Sequence, residues 1–205
     1  MNKQQKEEYD QFEGLIQGLI DNKYGCSEDF MNVDTVSGLR DNVQRLSESG
    51  EMQAAGLGNK KDYQKDKLFR GDRIKWLENT SVDQYEAIFF KKVGNFISHL
   101  NKTCFTAITG FESHYANYEQ GSFYKRHLDQ FKTDKGRKYS IVLYLNENWL
   151  KEDGGMLSLY PEDKEQKDIF PMGGRMVFFK SDEMEHEVHP SFTRERISIA
   201  GWLKA

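Results

Sequence analysis

Two short motifs in the second half of the chain carry the residue types that hold a metal ion. One is His127-Leu128-Asp129; the other is His186-Glu187-Val188, with Arg196 ten residues after His186. Two imidazoles and one carboxylate are the facial triad of non-haem Fe(II), a ligand set that leaves coordination positions open. A plain metal site has no use for the arginine. A guanidinium stays charged at every relevant pH and grips a carboxylate through two parallel hydrogen bonds. Iron beside a carboxylate clamp is the chemistry of an oxygenase that takes 2-oxoglutarate as co-substrate.

Spacing alone leaves choices open. Residues two apart on a strand point to one face, so His127 and Asp129 can reach the same ion. The second imidazole is His186 or His189, which are three apart and face opposite ways on a strand. Arg194 and Arg196 are two apart and share a face if the strand already begins at Arg194; Ser198, two residues after Arg196, adds a donor beside it. His99 and His114 read as structural or surface histidines.

The elements that must position these groups change character along the chain. Helical spacing of Phe12, Leu15, Ile16, Leu19 and Ile20, ended by Gly25, predicts a first helix. Val36, Leu39, Val43 and Leu46, stopped at Gly50, predict a second. A third opens at Ser81-Val82-Asp83-Gln84, which has the form of a capping box, and buries Tyr85, Ile88, Phe89, Phe96, Ile97 and Leu100. From Cys104 onward the pattern is that of strands. Tyr139, Ile141, Leu143 and Leu145 alternate with Ser140, Val142, Tyr144 and Asn146, and glycine pairs precede 156–160 and 176–179. The expected fold is α+β in a single domain over 1–205. Helices of about 1–103 pack on one outer face of a double-stranded β-helix, or jelly-roll, core of about 104–205. Residues 56–68 are charged and begin with glycines; they read as a covering loop, since no full phosphate-binding fingerprint follows the Gly-x-Gly.

Composition narrows the function. The chain has 205 residues, and its 14 Phe, 10 Tyr and 3 Trp supply a sizeable core. A net charge of −4 argues against a basic nucleic-acid binder. Cys26 and Cys104 stand alone, which fits free thiols in a reducing compartment rather than a disulfide framework. The polar start of the chain has no apolar signal region, and no stretch is long enough to span a membrane. A cytoplasmic location is expected.

Several blocks, in order, resemble the Fe(II)/2-oxoglutarate prolyl hydroxylases, in particular the oxygen-sensing enzymes acting on hypoxia-inducible factor and their bacterial relatives. They are Arg70-Gly71-Asp72-Arg73-Ile74-Lys75-Trp76, Tyr124-Lys125-Arg126-His127-Leu128-Asp129, Tyr144-Leu145-Asn146 with Trp149, Gly154-Gly155, Phe178-Phe179-Lys180-Ser181-Asp182, and His186-Glu187-Val188 with Pro190 and Arg196. Together they cover roughly residues 24–205. The resemblance implies His127, Asp129 and His186 as iron ligands and leaves His189 outside. It implies Arg196, six residues before Trp202, and Tyr144 as partners of the far carboxylate of 2-oxoglutarate, with Ser198 beside them. Tyr118 matches a further tyrosine of that pocket when one residue is deleted before His127. Trp76, Arg70, Asp72, Arg137 and Trp202 fall at the groove for the substrate proline. Residues before Arg70 correspond to a mobile substrate-covering loop, and the length matches the minimal bacterial form.

The implied reaction hydroxylates a prolyl residue in a protein, with Fe(II), 2-oxoglutarate and dioxygen, and ascorbate as a possible reductant. A monomer is expected, and elongation factor Tu is a lead for the substrate because bacterial relatives are linked to it. Rival readings are an AlkB-like nucleic-acid demethylase, a small-molecule or amino-acid hydroxylase, and a metal-binding module without turnover. Neither nucleic acid nor membrane is an expected partner.

Overall fold

The computed structural model describes residues 2–56, 70–130 and 136–205. The expected covering loop lies almost wholly outside them; only Gly56 is described. Three helices precede most of the strands: α1 (Lys3–Asn22), α2 (Val33–Glu48) and α3 (Gln84–Thr103). Each begins at a side chain that accepts from free backbone N–H groups. Asn2 and Asn32 cap the first two. In α3 the cap is Asp83, whose carboxylate accepts from Tyr85 and Glu86; Ser81 lies upstream and accepts from the Asp83 backbone N–H. A capping box at Ser81 is therefore replaced by a single acidic cap two residues later.

The helices bury one stripe each. Phe12 and Leu15 of α1, Val36, Leu39 and Val43 of α2, and Phe89, Val93, Phe96 and Leu100 of α3 share one core cluster. Ile20 and Ile88 stay exposed. Gly25 does not end the first helix. It lies in β1 (Tyr24–Ser27), where a β-carbon would fall 2.1 Å from the Leu15 carbonyl oxygen, so glycine lets strand and helix touch.

Two antiparallel sheets form the β core. The larger has the order β1, β9 (Met176–Lys180), β6 (Arg137–Tyr144), β11 (Arg196–Lys204), β4 (Gly110–Tyr118), β3 (Arg73–Trp76), β2 (Gln53–Ala54). The smaller has the order β5 (Tyr124–His127), β10 (Glu185–Val188), β7 (Leu157–Tyr160), β8 (Lys167–Ile169). Three strands thus come from the half that the sequence marks as helical. β1 and β3 are four residues each and β2 is two, too short to show an alternation.

The period of two along each strand divides the large sheet into two faces. Tyr115, Ile141, Leu143, Met176, Phe178, Ile197, Ile199 and Leu203 join the helix cluster. Ala116, Tyr118, Tyr144, Val177 and Phe179 turn the other way, toward Leu157, Leu159 and Val188 of the small sheet. The site lies on this inner face.

Candidate active site

His127 ends β5 and His186 lies in β10, and the two are paired directly across the antiparallel ladder. Their rings stand 4.2 Å apart between centroids. Asp129 lies beyond the end of β5, so strand alternation does not place it. Its Oδ2 instead accepts from the Ser140 hydroxyl at 2.7 Å, across the sandwich on β6. Ser140 is itself bonded to Ser181 at 2.8 Å. Asp129 Oδ1 then sits 3.6 Å from Nε2 of each histidine. One ligand atom from each of the three residues falls within 4.8 Å of the others.

The imidazoles are held from behind. Nδ1 of His127 lies 2.6 Å from the Lys125 carbonyl, and Nδ1 of His186 lies 3.1 Å from the Met184 carbonyl. A proton held on each Nδ1 leaves both Nε2 lone pairs free to bind a cation. Tyr124 stacks on His127 at 3.6 Å and 16°, and the Arg70 guanidinium caps the other face of that tyrosine at 4.2 Å. Burial works against the charge on Asp129, but His186 and His127 outweigh it and hold the carboxyl well below its usual range. Burial, then His186, lowers His127. Burial also opposes charge on His186, yet Asp129 raises it overall. An ionised carboxylate beside a neutral imidazole is a donor set that accepts a divalent metal.

A cavity of about 610 Å³ opens over the triad. Its closed end is Arg196, 1% exposed, on β11. Nε of Arg196 donates to the Gly155 carbonyl at 2.9 Å, and Nη1 lies 3.4 Å from the Ser198 hydroxyl. Gly155 has φ +65°, a conformation that favours glycine, and a β-carbon there would come within 3.3 Å of Arg196 Cδ. No carboxylate pairs with Arg196 among the described residues. Tyr118 and Tyr144 flank its guanidinium at 5.1 and 5.0 Å. The Tyr144 hydroxyl is buried with no hydrogen-bond partner among the described residues. Burial, opposed by Arg196, pushes it up to about 12, so it remains a donor at neutral pH.

Small side chains, Ala116, Ser198 and Ala200, floor the middle of the cavity. Its mouth is aromatic and charged. Trp76 is 49% exposed there, beside Trp202 and His114. Arg137 stacks on Trp202 at 3.5 Å and donates to Glu112 at 2.8 Å. Arg70 lines the cavity, whereas Asp72, 2% exposed, stands behind it in a bidentate pair at 2.7 and 2.6 Å. The Asp72 carboxylate is thus engaged by Arg70 rather than presented to the cavity.

The neighbours that share motifs with these residues lie elsewhere. Nε2 of His189 is 2.7 Å from the Ser158 hydroxyl. Arg194 donates to Asp153 at 2.9 Å and stacks on Trp149. His99 pairs with Glu13 between α3 and α1. Tyr124 and His114 line the cavity without a role read from the sequence. Tyr124 opens the block that ends at Asp129, three residues before His127. His114 shares the inward face of β4 with Ala116 and Tyr118, a period-two signal hidden because residues on both faces of that stretch are buried.

The family described as the 2OG-Fe(II) oxygenase superfamily matches residues 113–204. Human Egl nine homolog 1 is 34% identical over an alignment of 191 residues that covers 88% of this chain and 44% of that protein. The rat homologue is 32% identical, with 55% of its length matched. The chain thus spans about half the length of these curated relatives. A Pseudomonas putida prolyl-4-hydroxylase crystal structure superposes with a TM-score of 0.87 at 31% identity, covering 95% of this chain and 99% of that one. A Trichoplax adhaerens prolyl hydroxylase, in complex with a peptide fragment of the hypoxia-inducible factor oxygen degradation domain, gives a TM-score of 0.88 at 27% identity, covering 100% and 93%. Membership of this family brings Fe(II), 2-oxoglutarate and dioxygen as cofactor and co-substrates. The chain belongs to the 2OG-Fe(II) oxygenase superfamily, in its prolyl hydroxylase group.

Proposed function

We propose that the protein hydroxylates a prolyl residue in a protein substrate, consuming 2-oxoglutarate and dioxygen and releasing succinate and CO2. One observation carries this reading: a fully buried guanidinium, Arg196, closes a cavity that also holds His127, Asp129 and His186, and no carboxylate faces it among the described residues. An uncompensated buried charge is costly to a fold. A dicarboxylate compensates it. The far carboxylate of 2-oxoglutarate would meet Arg196, the unpartnered Tyr144 hydroxyl and Ser198, with Tyr118 as a wall. His127, Asp129 and His186 would hold the iron, which supplies dioxygen activation. Ser140 and the two backbone carbonyls keep those ligands in place, and Val142, Leu157 and Val188 exclude water from the cavity walls.

Trp76, exposed at the mouth beside Trp202, offers a flat apolar face on which a proline ring can pack, and Arg70 and Arg137 form its charged rim. The Trichoplax relative binds a peptide of a protein substrate, which supports a peptide at this mouth. We assign the protein to the cytoplasm as a monomer. Both cysteines are free, and no helix among the described residues is long and apolar enough to cross a membrane.

The test is incubation with cell lysate, Fe(II) and 2-oxoglutarate, followed by mass spectrometry for prolyl residues that gain one oxygen. Elongation factor Tu is the first protein to inspect. Succinate release with new hydroxyproline in a defined protein is the expected result. Oxidation of free amino acids or methylated bases, with no modified proline, would contradict it.

A further inference from the structure

The two imidazoles of the triad are backed differently. The ring of Phe179 stands 4.9 Å from that of His186, tilted by 56°. The ring of Tyr124 lies flat on His127, at 3.6 Å between centroids and 16° between planes. Two neutral aromatic rings avoid that arrangement. Their electron-rich faces repel, so such pairs settle offset or edge-on with centroids about 4.5–7 Å apart. A flat, close stack becomes favourable when one of the rings is electron-poor. An imidazole that has given its Nε2 lone pair to a divalent cation is such a ring, and Tyr124 presents the electron-rich face of a phenol to it.

The tyrosine is itself clamped. A ring stacked at 3.6 Å fills one face of Tyr124, so the Arg70 guanidinium, 4.2 Å from the same ring centre, occupies the other. Arg70 is held in turn by the buried Asp72, which accepts from Nε at 2.7 Å and from Nη2 at 2.6 Å. That pairing also leaves little net charge on the guanidinium to oppose a cation at the triad. The backbone sets the order of the stack. Arg70 and Tyr124 are partners in an antiparallel bridge, and the Gly71 N–H donates to the Phe123 carbonyl at 2.9 Å. Asp72, Arg70, Tyr124 and His127 thus form a continuous column that ends on a metal ligand. The bond of His127 Nδ1 to the Lys125 carbonyl fixes one edge of the imidazole, and Tyr124 fixes its plane.

We propose that Tyr124 and Arg70 are positioning residues for the metal: Tyr124 holds the plane of the His127 ring and favours its metal-bound form, and Arg70, locked by Asp72, holds Tyr124. The inference rests on the metal-binding part of the functional reading and is independent of the substrate. It gives Arg70 a task at the triad in addition to its place on the rim of the mouth.

The test is calorimetric titration of Mn(II) into the full chain with neither 2-oxoglutarate nor peptide present, so that no contact of Arg70 or Tyr124 with a substrate contributes. Affinity is referred to folded protein, and the melting temperature of the metal-free protein is measured beside it. Tyr124→Leu should weaken Mn(II) binding about 10–100-fold, the usual cost of losing a group that orients a metal ligand. Tyr124→Phe keeps the ring and should bind as the wild type does. The paired variant Arg70→Met with Asp72→Asn removes the clamp without leaving a buried charge alone, and should weaken binding about two- to fivefold. Wild-type affinity in Tyr124→Leu overturns the proposal. So does a Phe variant as weak as the Leu variant, which would assign the effect to the hydroxyl. Unchanged affinity in the paired variant overturns the part given to Arg70. A lowered melting temperature with unchanged affinity makes the column structural and overturns the whole. A wild type that binds no Mn(II) overturns the metal reading first, and this inference with it. Should Tyr124→Leu not fold, Tyr124→Met repeats the comparison.

Discussion

The two faces of the large sheet are built from the same strands, one residue out of step. Along β6, Ile141 and Leu143 point to the helices, while Ser140, Val142 and Tyr144 point into the sandwich. Along β11, Ile197, Ile199 and Leu203 face the helices, while Arg196, Ser198, Ala200 and Trp202 face the cavity. The outer face is mainly apolar, though Ser113 Oγ and Asn117 Oδ1, on the side of Tyr115, are buried without partners among the described residues. The inner face carries unpaired polar groups, among them Tyr144 Oη, His114 Nδ1 and Trp202 Nε1. One face packs against the helices and the other lines the cavity, a division expected where a site must be ready before its substrate arrives. Because the side-chain period is two, a slip of one residue in register would exchange the faces.

Substitutions on the two faces should therefore fail in different ways. The largest effect is expected from the triad. Asp129→Ala and His186→Ala should abolish metal binding and succinate formation while the melting temperature of the metal-free protein changes little. Calorimetric titration with Mn(II) checks the first and a succinate assay the second. On the opposite face, Leu143→Ala removes a fully buried side chain from the helix cluster. It should cost about 2–5 kcal/mol of stability, read by urea unfolding, with turnover per folded molecule preserved. If Leu143→Ala lost activity at full foldedness, the two faces would not be separable.

A third difference is in pH. His114 is buried neutral at about 4, against the ordinary 6.5, chiefly through burial; Asp72 and Asp129 favour its charged form, and Arg70 and Arg137 oppose it. Below pH 6.5 the unfolded chain takes up a proton that the folded one excludes, so stability falls as pH drops from 6.5 toward 4. The loss is about 3 kcal/mol. Unfolding curves of wild type and His114→Phe should diverge over that window, and parallel curves would remove His114 from the account. The smallest effects are expected just outside the cavity. His189→Ala and Arg194→Ala, whose side chains bond Ser158 and Asp153, should leave metal and 2-oxoglutarate affinities within about twofold.

Much of this was legible in the sequence because the informative side chains are rare types on strands with a clear period. The alternation of 139–145 marks a strand with two faces, and helical spacing shows most of the stripes of α1 and α2. What escaped reading depends on distant partners. Asp129 is held by Ser140, eleven residues on and in the other sheet. β1 and β3 are strands because β9 and β4 pair with them, not because four residues show a pattern. His114 looked ordinary because its lack of a partner is a property of the folded cavity. Gly25 and Asp83 were misplaced by two or more positions because local signals give an element more reliably than its boundary.

The central claim is that Arg196 and the triad form one site for 2-oxoglutarate and its metal. The most direct measurement is calorimetric titration of 2-oxoglutarate into the Mn(II)-loaded protein, as wild type, Arg196→Ala and Arg194→Ala. The account predicts one-to-one binding that weakens by several hundredfold in Arg196→Ala, about 3–5 kcal/mol, with Mn(II) affinity unchanged and Arg194→Ala near wild type. Unaltered 2-oxoglutarate binding in Arg196→Ala, or an equal loss in both arginine variants, would contradict it.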